Sequence, residues 1–286
     1  MPHLSVVIPT FDTASMTLRC CRAVLASMPD SSEVIVADDG STDGTAELLA
    51  REAPTVKMVR LEENRGFAAA ANRGVAAAQG RILLLLNSDA IVQDGALQAM
   101  LAAFDDPRLG VAGARLLDAN GKPQWSGGPT PTLPWMIGVV SGAGHLARRV
   151  RPDGPRRIDW VSGAAMAVRR EVWDAAGPLS ERFSFYCQDI DFCLRARSAG
   201  WDVRIVEEAR VVHARGGTIA AGNPLRYDPA RLWPDLLAWG TAHYGRAWGA
   251  VARVTLVIAA LTRIVWSRGV LRGLQGLIKA QQSPRQ

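Results

Sequence analysis

Strand-like and helix-like patterns alternate through the first half of the chain. Leu4–Ile8 is a short apolar run of strand formers, and Leu18, Cys21, Val24 and Leu25 then recur at helical spacing. Glu33–Ala37 reads as a second strand. Ser41-Thr42-Asp43-Gly44 supplies a turn and a helix start ahead of Leu48 and Leu49. Val56–Leu61 is a third strand, and Phe67–Gln79 is an alanine-rich helix with Gly80 in the place of a closing C′ glycine. Arg81–Leu86 is apolar throughout its centre, as a strand covered on both faces should be. This alternation predicts an α/β fold with a mostly parallel sheet flanked by helices.

The second half has a different texture. Val111–Gln124 can form a hairpin around Asn120-Gly121, a strong turn pair. Residues 126–157 are rich in Gly, Pro and Arg and show little periodicity, which marks a long functional loop. Trp160–Val168 reads as a strand and Asp189–Ala199 as a short helix stopped by Gly200. Val203–Val206 and Arg210–His213 are strand-like, and the pattern is helical from about Pro229 onward. The expected organisation is one α/β domain over 1–222 and a C-terminal helical extension over 223–286.

The bulk properties narrow the partner class. The 286 residues are 48% hydrophobic and 21% charged, a globular composition with ample core material. A net charge of +6 points to an anionic partner such as a nucleotide, a phosphate or an acidic lipid, and the excess is too mild to single out nucleic acid. The four cysteines form no metal or disulfide spacing, and Cys20-Cys21 fits a buried helix face. The chain runs directly into its first strand without a basic leader, which leads us to expect a cytoplasmic protein. The apolar runs Val254–Leu261 and Trp135–Gly144 are far short of the ~20 residues of a spanning helix.

Candidate chemistry sits at strand ends. Asp38-Asp39-Gly40-Ser41 and Asn87-Ser88-Asp89 each follow a strand, where ligands bind in open α/β sheets. Carboxylates gathered there repel one another unless a cation or a ligand's donors sit among them. Asp39 can accept from a base N–H or a ribose hydroxyl, whereas Asp38 and Asp43 suit turn or capping roles better. Asp89 suits a hard cation, and its competing reading is a cap for the helix from Ala96. Asp189 opens a helix, so its anion is expected to be stabilised by the helix N-terminus.

Several segments taken together resemble family 2 glycosyltransferases. They are Val6–Phe11, Val36–Thr45, Asn64–Gly74 with Asn64-Arg65-Gly66-Phe67 and Asn72-Arg73-Gly74 at its ends, and Leu85–Asp89. Trp160–Ala164 and Phe185–Arg195 are similar to the rhamnosyltransferase-like branch, and the resemblance covers roughly 3–215. It implies a GT-A fold, a nucleotide-diphosphate sugar donor, Mg²⁺ or Mn²⁺, and transfer with inversion. It further implies that Pro9, Thr10, Phe11, Asp39, Asn72, Asn87 and Ser88 hold the nucleotide. Asp89 and His213 would hold the metal, and Asp189 would be the catalytic base. Asn87 stands where a stricter pattern has an acid, and Gln188 where it has Glu. His213 is divided between a metal role and a structural one, and Arg65 and Arg73, flanking the alanine-rich helix, are divided between a phosphate contact and an ordinary solvated surface. Asp191 reads as a structural acid.

The segment Trp233–Lys279 mixes apolar residues with Arg246, Arg253, Arg263, Arg268, Arg272 and Lys279, and no acid follows Asp235. It suits an anionic membrane surface, packing on its own domain, or a homodimer contact; the charge pattern favours the membrane. The expected activity is therefore an inverting glycosyltransferase, with dTDP-rhamnose as donor and a lipid-linked or growing surface glycan as acceptor, peripheral at the inner face of the plasma membrane. A UDP-hexose donor is the alternative. A nucleotidyltransferase would carry a basic glycine-rich loop after the first strand, which Pro9-Thr10-Phe11-Asp12 is not. A non-catalytic sugar-nucleotide-binding subunit would not be expected to keep Asp39, Asp89 and Asp189 together.

Overall fold

The computed structural model describes residues 3–141, 158–214 and 229–261. These form two compact units. The first holds 3–128, 158–181 and 188–214, and the second holds 129–141, 182–187 and 229–261. The expected boundary at 222 lies outside the described residues, and the second unit also draws in two stretches from earlier in the chain.

The first unit is built on strands β1 (Leu4–Thr10), β2 (Ser32–Asp38), β3 (Lys57–Arg60), β4 (Ile82–Leu86), β5 (Ala90–Val92), β6 (Leu109–Leu117), β9 (Ala165–Arg169) and β10 (Asp202–His213). They make one sheet in the order β3-β2-β1-β4-β9-β6-β10-β5. The pairs β1/β2, β2/β3, β1/β4 and β6/β10 are parallel. The pairs β4/β9, β6/β9 and β5/β10 are antiparallel, so the sheet is mixed, with β1–β4 a parallel block and β6/β10 a further parallel pair. One face, with Val6, Ile8, Val34, Val36, Leu84 and Leu86, packs on helix α1 (Ala14–Ser27) through Leu18, Cys21 and Val24. The other face receives α3 (Phe67–Ala77), which presses on Val7 and Ala37. Helices thus cover both faces, and the all-apolar β4 is explained by burial on each side. The four cysteines are free and buried.

Several local expectations are corrected. Gly80 does not close α3, which ends at Ala77 with the Ala78 N–H on the Val75 carbonyl. It is glycine because it abuts β1: a Cβ there would lie 2.5 Å from the Ser5 backbone nitrogen. Trp160–Val168 is two strands, β8 (Trp160–Val161) and β9, broken at 162–164. Strand β8 pairs instead with β7 (Gly127–Gly128). Gly121 adopts the expected turn, but the return strand shrinks to a single bridge between Leu117 and Pro123. Val203–Val206 and Arg210–His213 are one strand with a bulge between them.

Within the second unit, helices α8 (Pro229–Tyr244) and α9 (Arg246–Leu261) turn at Gly245 and pack together, and α9 also meets α5 (Leu133–Ser141). Trp233, Leu236, Leu237 and Trp239 are buried on α8. Asp235, also buried, accepts the N–H groups of Ser184 (2.8 Å), Phe185 (2.9 Å) and Tyr186 (2.9 Å), together with the Ser184 hydroxyl. Three successive amides around one carboxylate compensate its burial. No helix among the described residues is long and apolar enough to cross a membrane.

Candidate functional site

The carboxyl ends of β1, β2 and β4 are stitched side by side. The loop after β1 joins that after β2 through the Asp12 N–H to the Ser41 hydroxyl (3.0 Å) and the Thr42 N–H to Asp12 Oδ1 (2.7 Å). It joins the end of β4 through Thr13 and Ser88, whose hydroxyls are 3.1 Å apart. Thr10, at the end of β1, turns its hydroxyl inward onto Thr13 (2.8 Å) and Thr17 (2.6 Å), while the Phe11 ring is 37% exposed beside it. Pro9 is buried in the β1/β2 pairing opposite Ala37.

The acids after β2 divide as their chemistry suggests. Asp38 accepts the Ser41 N–H (2.9 Å) and faces Arg60 (3.6 Å), closing the turn. Asp43 holds the Ala14 N–H (2.8 Å) and the Thr45 hydroxyl, which keeps its carboxyl below the usual range despite some desolvation. Asp39 is buried, and each oxygen accepts one amide, from Arg65 (2.9 Å) and Gly66 (2.7 Å). Burial outweighs these bonds and raises its carboxyl above the ordinary value. Each oxygen retains acceptor capacity for a ligand. The Asn72 amide is committed elsewhere: it donates to the Leu179 carbonyl (2.9 Å) and Glu181 (3.3 Å) and accepts the Leu179 N–H (2.9 Å). Arg65 pairs with the same Glu181 at 3.1 Å.

The end of β4 meets the end of β10. The short strand β5, invisible in the periodicity, aligns His213 opposite Ala90, and the Ala214 N–H bonds the Asp89 carbonyl (3.1 Å). His213 Nε2 then lies 3.2 Å from Asp89 Oδ1 and 3.2 Å from Asn87 Nδ2, both side chains being largely buried. Asp89 does not cap helix α4 (Ala96–Ala102), whose N-cap is Gly95 without a side-chain bond. A residue the pattern did not single out controls the imidazole. Gln124 donates to the carbonyls of Leu117 (3.2 Å) and His213 (2.6 Å), which turns its Oε1 toward His213 Nδ1 at 3.4 Å. That acceptor favours the proton on Nδ1 and leaves the Nε2 lone pair facing Asp89. The Asn87 amide nitrogen, 3.2 Å away, is the donor at that lone pair, with Asp89 Oδ1 beside it. The Asp89 carboxylate would suit Mg²⁺ or Mn²⁺, with His213 Nε2 beside it, while the Asn87 amide turns its nitrogen, a donor, to this corner. Among the described residues no group of three or more His, Cys, Asp or Glu forms a closed metal site, so such a cation would complete its shell with ligand oxygens.

The break at 162–164 links this cluster to Asp189. The Ala164 carbonyl takes the Asn87 N–H (3.0 Å), and the adjacent Gly163 N–H donates to Asp189 Oδ2 (2.9 Å). Asp189 lies in the first turn of α7 (Gln188–Ser198), and its Oδ1 takes the Ile190 N–H (2.8 Å). Burial raises its carboxyl above the ordinary range in spite of both amides. Desolvation thus works against the stabilisation expected from the helix N-terminus. Asp191 points away and pairs with Arg195 (2.9 Å), as a structural acid should. Gly163 falls inside the Trp160–Ala164 resemblance and Gln124 at the end of the expected hairpin; neither carries a local signal of its role. Residues 215–217 after His213 and 142–157 of the long loop lie outside the described residues.

Residues 5–166 match the family described as glycosyl transferase family 2. The uncharacterized protein y4gI of Sinorhizobium fredii is 30% identical over 215 residues, covering 70% of this chain and 23% of its own length. The N-acetylglucosaminyl-diphospho-decaprenol L-rhamnosyltransferase of Mycobacterium tuberculosis is 27% identical over 238 residues, covering 73% of this chain and 75% of its own. The chain therefore spans under a quarter of the first relative and three quarters of the second. Among solved structures, the mannosyltransferase PcManGT of Pyrobaculum calidifontis, in complex with GDP-Man and Mn²⁺, is similar with a TM-score of 0.60 at 18% identity. That likeness covers 99% of this chain and 81% of that one. It is a likeness of fold, and the fold is the GT-A arrangement.

Proposed function

The chain belongs to glycosyl transferase family 2 and is a glycosyltransferase, and from that premise we propose that it moves rhamnose, with inversion, from dTDP-rhamnose to a hydroxyl of a lipid-linked or growing surface glycan. The single observation supporting this reading is the run of contacts and chain neighbours from the Asp89–His213 pair through Asn87, Ala164 and Gly163 to Asp189. Along it, the Asp89–His213 pair and the half-buried Asp189 carboxylate lie in the first unit. The rhamnose donor is supported by the segments 160–164 and 185–195 and by the rhamnosyltransferase relative, whose name specifies a decaprenol-linked acceptor.

In this reading Asp39 accepts from the base or ribose, and the exposed Phe11 ring offers a face for stacking. Asn72 and Thr10 shape the pocket by holding Leu179 and the Thr13–Thr17 hydroxyls rather than by direct contact. Asn87, Ser88, Asp89 and His213 face the diphosphate. A bound Mg²⁺ or Mn²⁺ supplies charge neutralisation for that leaving group. Asp189 takes the proton of the acceptor hydroxyl as its oxygen bonds the anomeric carbon and the diphosphate departs from the opposite face. Its raised basicity favours that transfer, and the Gly163 and Ile190 amides fix its orientation. A lipid-linked acceptor would place the protein at the inner face of the plasma membrane.

Calorimetry with dTDP-rhamnose, UDP-hexoses and GDP-mannose, each with Mn²⁺ or chelator, tests the proposal. We expect dTDP-rhamnose to bind best and much more tightly with metal than with chelator, and Asp89→Ala to remove that difference. Equal affinity with and without chelator would refute the metal site, and preference for a UDP-sugar would replace the donor.

A further inference from the structure

The outward face of α9 is apolar. Ala247, Val251, Val254, Ile258 and Leu261 recur at helical spacing along it, and the last four are 59, 60, 57 and 52% exposed. The opposite face, with Gly249, Ala252, Leu256 and Ala260, is buried within the second unit. A helix that packs one side on its own unit normally turns polar residues to water on the other. Here the outward stripe is the more hydrophobic in side-chain size, and such patches mark interaction sites.

Charge identifies the occupant. Arg246 and Arg253, seven residues apart, run along one flank of the stripe. After Asp235 the sequence carries Arg246, Arg253, Arg263, Arg268, Arg272, Lys279 and Arg285 and not one Asp or Glu. A second copy meeting this face symmetrically would bring the same basic, acid-free stretch against itself. An anionic bilayer offers what the face lacks: acyl chains for the stripe and negative headgroups for its flank.

We infer that α9 is a bilayer-docking helix that lies in the plane of an anionic membrane, inserting Val251, Val254, Ile258 and Leu261 while the exposed Arg246 on its flank meets the headgroups. This rests on the proposed lipid-linked acceptor for its purpose but not for its test, which involves no donor and no turnover.

The test is flotation of the full chain with vesicles of phosphatidylcholine alone and of phosphatidylcholine with phosphatidylglycerol, at low and high salt. Binding to the anionic vesicles, weakened by salt, is expected. Val254→Glu with Ile258→Glu should reduce it on the order of tenfold or more, as lost burial of two large aliphatic side chains implies, with circular dichroism and melting unchanged. If the glutamate pair fails to fold, Val254→Ser with Ile258→Ser serves in its place with the same expectation. Flotation of the folded variant equal to the parent, or no binding of the parent to anionic vesicles, would overturn the inference. A parent that is dimeric by light scattering, does not float, and becomes monomeric in the variant would assign the stripe to a second copy instead.

Discussion

At Asp189 two effects oppose each other. Two backbone amides favour its anion, and burial disfavours it more, so the carboxyl sits above its ordinary value. A base must be deprotonated to work, so kcat/KM should rise with pH on an acid limb lying above the ~3.9 of a free aspartate. Asp189→Asn should bind donor normally, lose that limb and lose turnover by about 10²–10⁴-fold. Asp191→Asn should only loosen the Arg195 contact. Collapse of turnover in Asp191→Asn with survival in Asp189→Asn would exchange their roles. Gln124 provides a second case. Gln124→Leu removes the acceptor at His213 Nδ1, and metal-dependent nucleotide affinity should fall about 10–100-fold, as loss of a ligand's orienting partner does. Metal-free nucleotide affinity should be unchanged in the same calorimetry, and equal losses would make Gln124 structural only. Asp39, Asp89 and Asp189 were legible because each stands beside its own local pattern of strand end or helix start. Gln124 was not, because its partner is 89 residues away and is set by strand register.

At the level of elements, alternation and apolar runs located every strand of the parallel half. The failures share one cause. Strand β5 is three residues long, too short for a period, and exists because β10 pairs with it. The split of 160–168 has no marker in polarity; it arises because Ser162 turns to the Ser126 carbonyl while Ala164 turns to Asn87. Gly80 looks local and is not. Gly80→Ala would press a methyl onto the Ser5 backbone, which cannot rotate away. Such overpacking costs about 1–3 kcal/mol. A fall in Tm of several degrees in calorimetry is expected, and an unchanged Tm would return Gly80 to a capping role.

At the scale of the molecule, the second unit gathers pieces that are far apart in sequence, which a reading along the chain could not foresee. Asp235 is the reason 182–187 belongs to it, since its carboxylate collects the amides of 184–186. Asp235→Ala would leave three amide donors without that acceptor, at about 1–3 kcal/mol for each that stays buried. A lower Tm is expected, with a smaller loss for Asp235→Asn. Donor affinity measured below the melt should hold, because the nucleotide-facing residues belong to the first unit. Loss of donor binding in a folded Asp235→Ala protein would contradict this separation.

The three residues 162–164 also set a rule for how this chain can change over generations. Consecutive residues there serve two distant partners, Asn87 through the Ala164 carbonyl and Asp189 through the Gly163 amide. Inserting or deleting one residue would satisfy at most one of them, whereas the turn at Gly121 carries neither contact. Descendants of this sequence should therefore diverge in side chains at 162–164 while keeping its length fixed, and spend their insertions elsewhere.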